Sequence, residues 1–208
     1  MKFSPDSKFF VFCSRLVELV KINLLWLLCC LPLVTAGAGT TAMLTCLYAW
    51  KDNEPCGGKV FFRSFKSCFG RATGLWLGIL VFGAMLAADY YIVAYMDLPG
   101  RMAVIGLIFF VAFALVFFSG MVFPLLSQFP MGMKDTLINA VLLSIAHLPK
   151  MLLVTAMNLM PVALAILLPQ VFILTGFVWL LCGFTLIALY DIKVLERIFA
   201  PFREEVQE

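Results

Sequence analysis

The stretch INLLWLLCCLPLVTAGAGTTAMLTCLYAW, residues 22–50, decides the fold. It carries no charged side chain, yet Pro32 and the run Thr35-Ala36-Gly37-Ala38-Gly39-Thr40-Thr41 interrupt it. Proline removes a backbone donor and glycine favours non-helical geometry, so one straight helix is not expected here. Two forms remain: a single broken span, or a tight hairpin with arms over 22–34 and 40–50. The choice settles on which side of a membrane everything downstream lies.

The charges outside this stretch favour the hairpin. Of 15 Lys and Arg residues, fourteen fall in the stretches 1–23, 51–71, 128–150 and 191–208, and only Arg101 lies elsewhere. Basic residues are retained on the cytoplasmic side, so all four stretches are expected there, with an even number of passages between neighbours. One crossing at 22–50 would put the first two stretches on opposite sides. Arms this short fall below the ~20 residues that cross a bilayer, so the hairpin is expected to be re-entrant.

Working outward, the rest of the chain is of the same kind. It is 63% hydrophobic and 13% charged, with a mean hydropathy of +1.05, more apolar surface than a soluble domain of this size buries. The net charge of +3 is modest, and its placement calls for no nucleic acid. Residues 102–127 hold no charge and form roughly 39 Å of helix at 1.5 Å per residue, enough for a ~30 Å hydrocarbon core. With 72–96 they make a second hairpin, and 150–168 with 171–192, joined at Pro169-Gln170, make a third.

The expected fold is therefore one all-α integral membrane domain over 1–208, with about six membrane-embedded segments in three helical hairpins. An amphipathic elbow helix on the inner leaflet precedes each hairpin, over 1–21, 59–71 and 134–149, giving an approximate threefold repeat. Lys21, Arg63, Lys66, Arg71, His147 and Lys150 mark these elbows at the lipid headgroups. Residues 193–208 form a cytoplasmic tail, acidic at Glu204, Glu205 and Glu208. The basic leader and apolar run also look like a signal peptide, but residues 40–50 continue apolar, so an uncleaved membrane segment is expected.

The string Asn23-Leu24-Leu25-Trp26, followed by Leu31-Pro32-Leu33-Val34-Thr35-Ala36-Gly37-Ala38-Gly39-Thr40-Thr41-Ala42, resembles the hallmark of the YesL-like, or DUF624, family. In that family an Asn, a Trp and a Leu-Pro-x-Val-Thr-x-Gly-x-x-Thr-Thr-Ala string open a membrane domain of about this length. The family usually has Pro where this chain has Ala38. The likeness extends to the aromatic stretch 61–69 and to Ala146-His147-Leu148-Pro149-Lys150. It implies a bacterial inner-membrane protein without an assigned enzymatic activity, whose relatives' genes accompany carbohydrate-uptake ABC transporters and glycan-degrading enzymes. The expected role is a non-catalytic accessory that assists or regulates an ABC-type oligosaccharide transporter, with its permease subunits as partners. The alternative is a self-contained small-molecule transporter or channel.

The inventory of reactive residues points away from catalysis. One histidine and seven cysteines without Cys-x-x-Cys spacing make no metal centre, and no phosphate-binding loop is present, so no enzyme and no cofactor are expected. The candidate substrate or packing site is Thr35, Gly37, Gly39, Thr40, Thr41 and Asn158. A helix break leaves backbone groups free for a ligand; alternatively the threonines cap the next helix and satisfy its amides. Asn158, near mid-membrane, either bonds a neighbouring helix or faces a pathway. Gly70, Gly74 and Gly78 form a small-residue face for packing within the subunit or for a homo-oligomer. Asp89 and Asp97, among tyrosines, make an outer rim. A polar cavity reaching mid-membrane supports transport, and a packed apolar centre supports a scaffold.

Overall fold

The computed structural model describes residues 8–96 and 99–207, all helix and turn with no strand among them. The sequence assignments for Lys2, Asp97 and Glu208, and for the side chains of Glu204 and Glu205, lie outside the described residues.

Helix α1 spans Lys8–Cys30. Neither proline nor glycine occurs along it, so no break falls at 21, and the expected first elbow is the leading part of one helix. The chain then turns at Pro32 through a 3-10 turn, Leu33–Thr35, into α2, Ala36–Lys51. The two arms lie antiparallel: the Arg15 guanidinium sits 5.4 Å from the centre of the Trp50 ring, and Trp26 Nε1 donates to Thr40 Oγ1 at 3.1 Å. Residues 22–50 thus form a hairpin rather than a broken rod.

Helix α3, Gly58–Tyr95, has 38 residues, about 57 Å of rise. It runs unbroken through Arg71 and Ala72, so the second elbow is also no separate helix. Trp76, halfway along α3, donates from Nε1 to the Leu33 carbonyl at 2.6 Å. The tip of the first hairpin therefore stops at the middle of α3, and the outer half of α3 continues past it. Gly100, at φ +84°, supplies the left-handed residue that turns the chain into α4, Arg101–Gln128.

Helix α5, Met133–Ala146, is a separate helix. It turns Thr136, Ala140 and Ser144 inward at four-residue spacing. It ends at His147 because Pro149 has no amide to bond the Ile145 carbonyl, whereas proline is tolerated in the first turn of the helix that follows. The threefold repeat is thus realised as a separate elbow only here. Helix α6, Leu148–Leu167, leads into a short α7, Pro169–Leu174. The last rod is α8, Gly176–Val178, a π-helical turn, Trp179–Gly183, and α9, Phe184–Gln207. The third hairpin therefore turns through α7, and its second arm begins at Gly176 rather than at 171.

Four stretches, Gly58–Tyr95, Arg101–Gln128, Leu148–Leu167 and Gly176–Ala200, are long and apolar enough to cross a bilayer. The arms of the first hairpin are not among these four. Helix α2 has 16 residues, about 24 Å, and α1 carries Arg15, Glu18 and Lys21. The protein is a membrane protein by these four helices, and the two arms of the first hairpin are the short ones expected not to cross. Its buried core lies at one end, where Phe117, Met121 and Leu125 meet Met151, Leu195 and Phe199, beside Ile22, Leu47, Phe61 and Ile192.

The basic stretches meet at that same end. Arg15 lies on Trp50, Lys51 pairs with Glu196, and Arg71 Nη1 donates to the Met131 carbonyl at 2.8 Å. Arg101, by contrast, donates to the Ala94 carbonyl at the α3–α4 turn.

Candidate functional site

Asn23 ties the first helix to the last. Widening to a π turn disturbs the regular i→i−4 pairing of backbone groups. Fully buried, Asn23 donates from Nδ2 to the carbonyls of Trp179 and Leu180 at 3.1 and 2.8 Å. Its Oδ1 accepts from the Thr185 amide at 3.2 Å. A single side chain thus satisfies three backbone groups 156 to 162 residues away.

The small-residue run has mostly a packing role. A Cβ on Gly37 would come within 2.5 Å of Trp76 Cβ and 2.8 Å of the Ala72 carbonyl, and one on Gly39 within 3.0 Å of Cys29 Cβ. Thr35 makes no cap bond to the α2 amides; its hydroxyl donates instead to the carbonyls of Cys29 and Pro32, at the end of the preceding arm. This corrects the expected cap. Thr41 is buried and donates to Gly37 O at 3.0 Å. Thr40 lines a cavity.

That cavity is a cleft of about 460 Å³ between the first hairpin, α3, α4, α6 and α9. It brings Thr40 and Asn158 together, along with the rings of Trp26, Trp76, Phe123 and Phe184. Asn158 Nδ2 donates to its own helix at Val154 O, 2.9 Å, and across to Asp191 Oδ2 on α9 at 2.6 Å. Asn158 therefore both joins two helices and faces the cleft. Asp191 is 7% exposed, and its Oδ1, like the hydroxyl of Thr155 in the same cleft, is buried without a partner. Buried polar atoms are normally paired, and these two unpaired ones share one cleft.

Asp191 was missed by sequence reasoning because it falls at the very end of the last apolar run, 171–192, where an acid reads as a membrane boundary. The available signal was the stripe Phe184, Ile187, Ala188, Asp191, Leu195 and Ile198, a helical face on which one acid interrupts apolar residues.

The other candidate residues stay apart. Gly70 and Gly78 face open space, and only Gly74 has a neighbour, the tip of Met133. The glycine stripe is thus no helix-packing face within this chain. Lys21, Arg63 and Lys66 are exposed. Arg63 borders a shallow groove with Asp52 and Glu54. His147 closes α5, its Nδ1 3.3 Å from Leu143 O, and Lys150 is half-buried one turn into α6. Among the described residues, no group of three or more His, Cys, Asp and Glu side chains could hold a metal ion.

An all-helical membrane protein with a cleft walled by its first and last helices is the class that fold and site define. The family described as "Protein of unknown function, DUF624" matches residues 19–90. The uncharacterized protein YesL of Bacillus subtilis (strain 168) is 35% identical over 134 residues, 61% of this chain and 61% of YesL. Over these residues the chain is similar to the YesL-like DUF624 family, and it spans about three fifths of the length of YesL. No solved structure matches it. The family match covers Asn23, Trp26, Thr40 and Trp76, whereas Asn158 and Asp191 lie beyond it.

Proposed function

We propose that this chain is a non-catalytic, multi-pass protein of a bacterial cytoplasmic membrane that holds a small polar solute in the cleft beside Asp191. On this reading it serves a carbohydrate-uptake ABC transporter as an accessory. The charged end of the bundle and both termini lie in the cytoplasm, and the tip of the first hairpin enters the membrane without crossing it. The supporting observation is the cleft itself. Its volume is within the range of small-molecule sites, ~300–1,000 Å³, and its wall combines aromatic rings with unpaired polar atoms. A centre of packed apolar side chains would have supported a scaffold without a ligand.

The sidedness rests on the meeting of the basic stretches at one end, and the accessory role on the family resemblance. The apolar, exposed side chains at the hairpin tip, Leu31 at 79% and Leu33 at 68% exposure, suit contact with lipid. The test is thermal unfolding of the purified protein in mild detergent against a panel of sugars, polyols and amines. At least one solute is expected to raise the midpoint, and Val162→Trp, which narrows the cleft from the exposed side of α6, is expected to remove that rise. A panel without effect on the wild type would sink the binding role. Co-purification with permease subunits in fixed proportion supports the accessory role; a protein that emerges alone and carries solute into vesicles supports an independent transporter.

A further inference from the structure

We propose that the solute held in the cleft is a small organic cation, its ammonium group set against the Asp191 carboxylate and its carbon skeleton against the rings of Trp26, Trp76 and Phe184. This deepens the solute-binding role and rests on it.

The argument is an inventory of charge, donors and acceptors. Among the described lining residues Asp191 is the only charged one, with no Lys, Arg or His beside it. The carboxylate has one neutral partner, Asn158, on Oδ2 and none on Oδ1. A carboxylate taken out of water without a cationic partner either takes up a proton or is compensated by a positive charge, and an occupant that carries that charge keeps it ionised. An anionic occupant offers no such compensation.

The donors lining the cleft are already engaged. Trp26 Nε1 is given to Thr40, Trp76 Nε1 to the Leu33 carbonyl, and Asn158 Nδ2 to Val154 and Asp191. The hydroxyls of Thr40 and Ser119 donate to Ala36 and Val116 carbonyls. The Thr155 hydroxyl is the exception. Acceptors are in surplus. Pro124 and Pro161 both line the cleft within helices, and each lacks the amide that would bond the carbonyl four residues earlier, at Gly120 and Met157. An occupant of this site must therefore bring its own donors.

The aromatic walls complete the match. With both indole N–H groups occupied, the indoles offer faces rather than donors. Trp26 pairs with Phe184 at 4.8 Å between ring centres and Trp76 with Phe123 at 6.0 Å. Ring faces next to a carboxylate favour substituted ammonium groups, which carry charge and apolar surface together.

The experiment compares choline with 3,3-dimethylbutan-1-ol, which has the same shape without the charge, followed by intrinsic tryptophan fluorescence of the whole protein in detergent. Glucosamine against glucose gives a second pair. Choline or glucosamine is expected to bind at least tenfold more tightly than its neutral counterpart, and Asp191→Asn is expected to abolish that difference. Should Asp191→Asn fail to fold, the wild-type pairs decide alone, with Val162→Trp as the blocked control. Equal binding of charged and neutral members overturns the cation assignment and leaves solute binding intact. A response to sodium chloride alone that no amine displaces overturns it in favour of an inorganic ion. Failure of every solute removes both the assignment and the solute-binding role.

Discussion

The first hairpin and the α3–α4 hairpin are both long apolar stretches turned back on themselves, one at Pro32 and the other at Gly100, yet they direct that apolarity oppositely. In α2, ten of 16 residues are buried, including Gly37, Ala38, Thr41, Cys46 and Leu47. In α3, four of 38 are buried, and none of its most apolar 18-residue window is. Residues of equal hydropathy face protein in one hairpin and the place of lipid in the other. Hydropathy reports that a side chain avoids water; small residues report what it meets instead. The run Gly37-Ala38-Gly39 draws α2 against α3 and α1, whereas the glycines at 70 and 78 meet nothing.

Glycine-to-leucine substitutions are the strongest way to break this contrast. Gly37→Leu must displace Trp76, the Ala72 backbone and Phe123 together, and is expected to destabilise by about 3 kcal/mol, the upper end for overpacking. Gly78→Leu enters open space and is expected to stay within about 0.5 kcal/mol. Thermal unfolding in one detergent measures both. Similar losses at the two positions would show that α3 is packed against something along its outer half, and would end the distinction.

Asn23→Leu comes next. It leaves the Trp179 and Leu180 carbonyls and the Thr185 amide without their partner, for an expected loss of about 2 kcal/mol. The same residue shows what the sequence could and could not reveal. Helices, the hairpin at 22–50 and the meeting of the basic stretches were legible from charge, Pro32 and the glycines. That Asn23 would answer a π turn in the last helix was not, because a partner 156 residues away leaves no local spacing to read. The candidate site was half legible for the same reason. Thr40 and Asn158 stand out as polar residues in apolar runs, but Asp191 lies next to Lys193, where a helix leaving the membrane looks the same as a helix carrying a buried acid.

Asp191 also sharpens the comparison, because it lies where the first hairpin meets the last helix rather than on the lipid-facing half of α3 and α4. Its uncompensated carboxylate is retained against stability. Asp191→Asn is expected to keep the bond to Asn158 and to raise the unfolding free energy of the empty protein by about 1 kcal/mol, since a neutral group needs no counter-charge. The gain is measured without solute, by the same thermal unfolding. A loss of 2 kcal/mol or more would mean that the acid has a structural partner, and the cleft would lose its claim to an occupant.

The smallest effect tests the hairpin at its open end. Cys56, in the loop before α3, lies with Sγ 3.6 Å from Glu18 Oε2 on α1. Burial, and after it the Glu18 charge, push the thiol up to about 11. At pH 8 the thiolate is therefore scarce, and alkylation of Cys56 is expected to be slow and to accelerate as the pH rises toward 11, because the thiolate is the reacting species. Glu18→Gln removes the carboxylate's charge, lowers the thiol pKa and is expected to speed iodoacetamide labelling at pH 8 by roughly threefold to tenfold, with stability changed by less than about 0.5 kcal/mol. Mass spectrometry of the Cys56 peptide reads the rate. The two residues meet only if α1 and the loop after α2 lie on the same side of the membrane, which a single broken span at 22–50 forbids. A rate indifferent to Glu18 would reopen that alternative, and a rate that responds holds both arms of the first hairpin to one side.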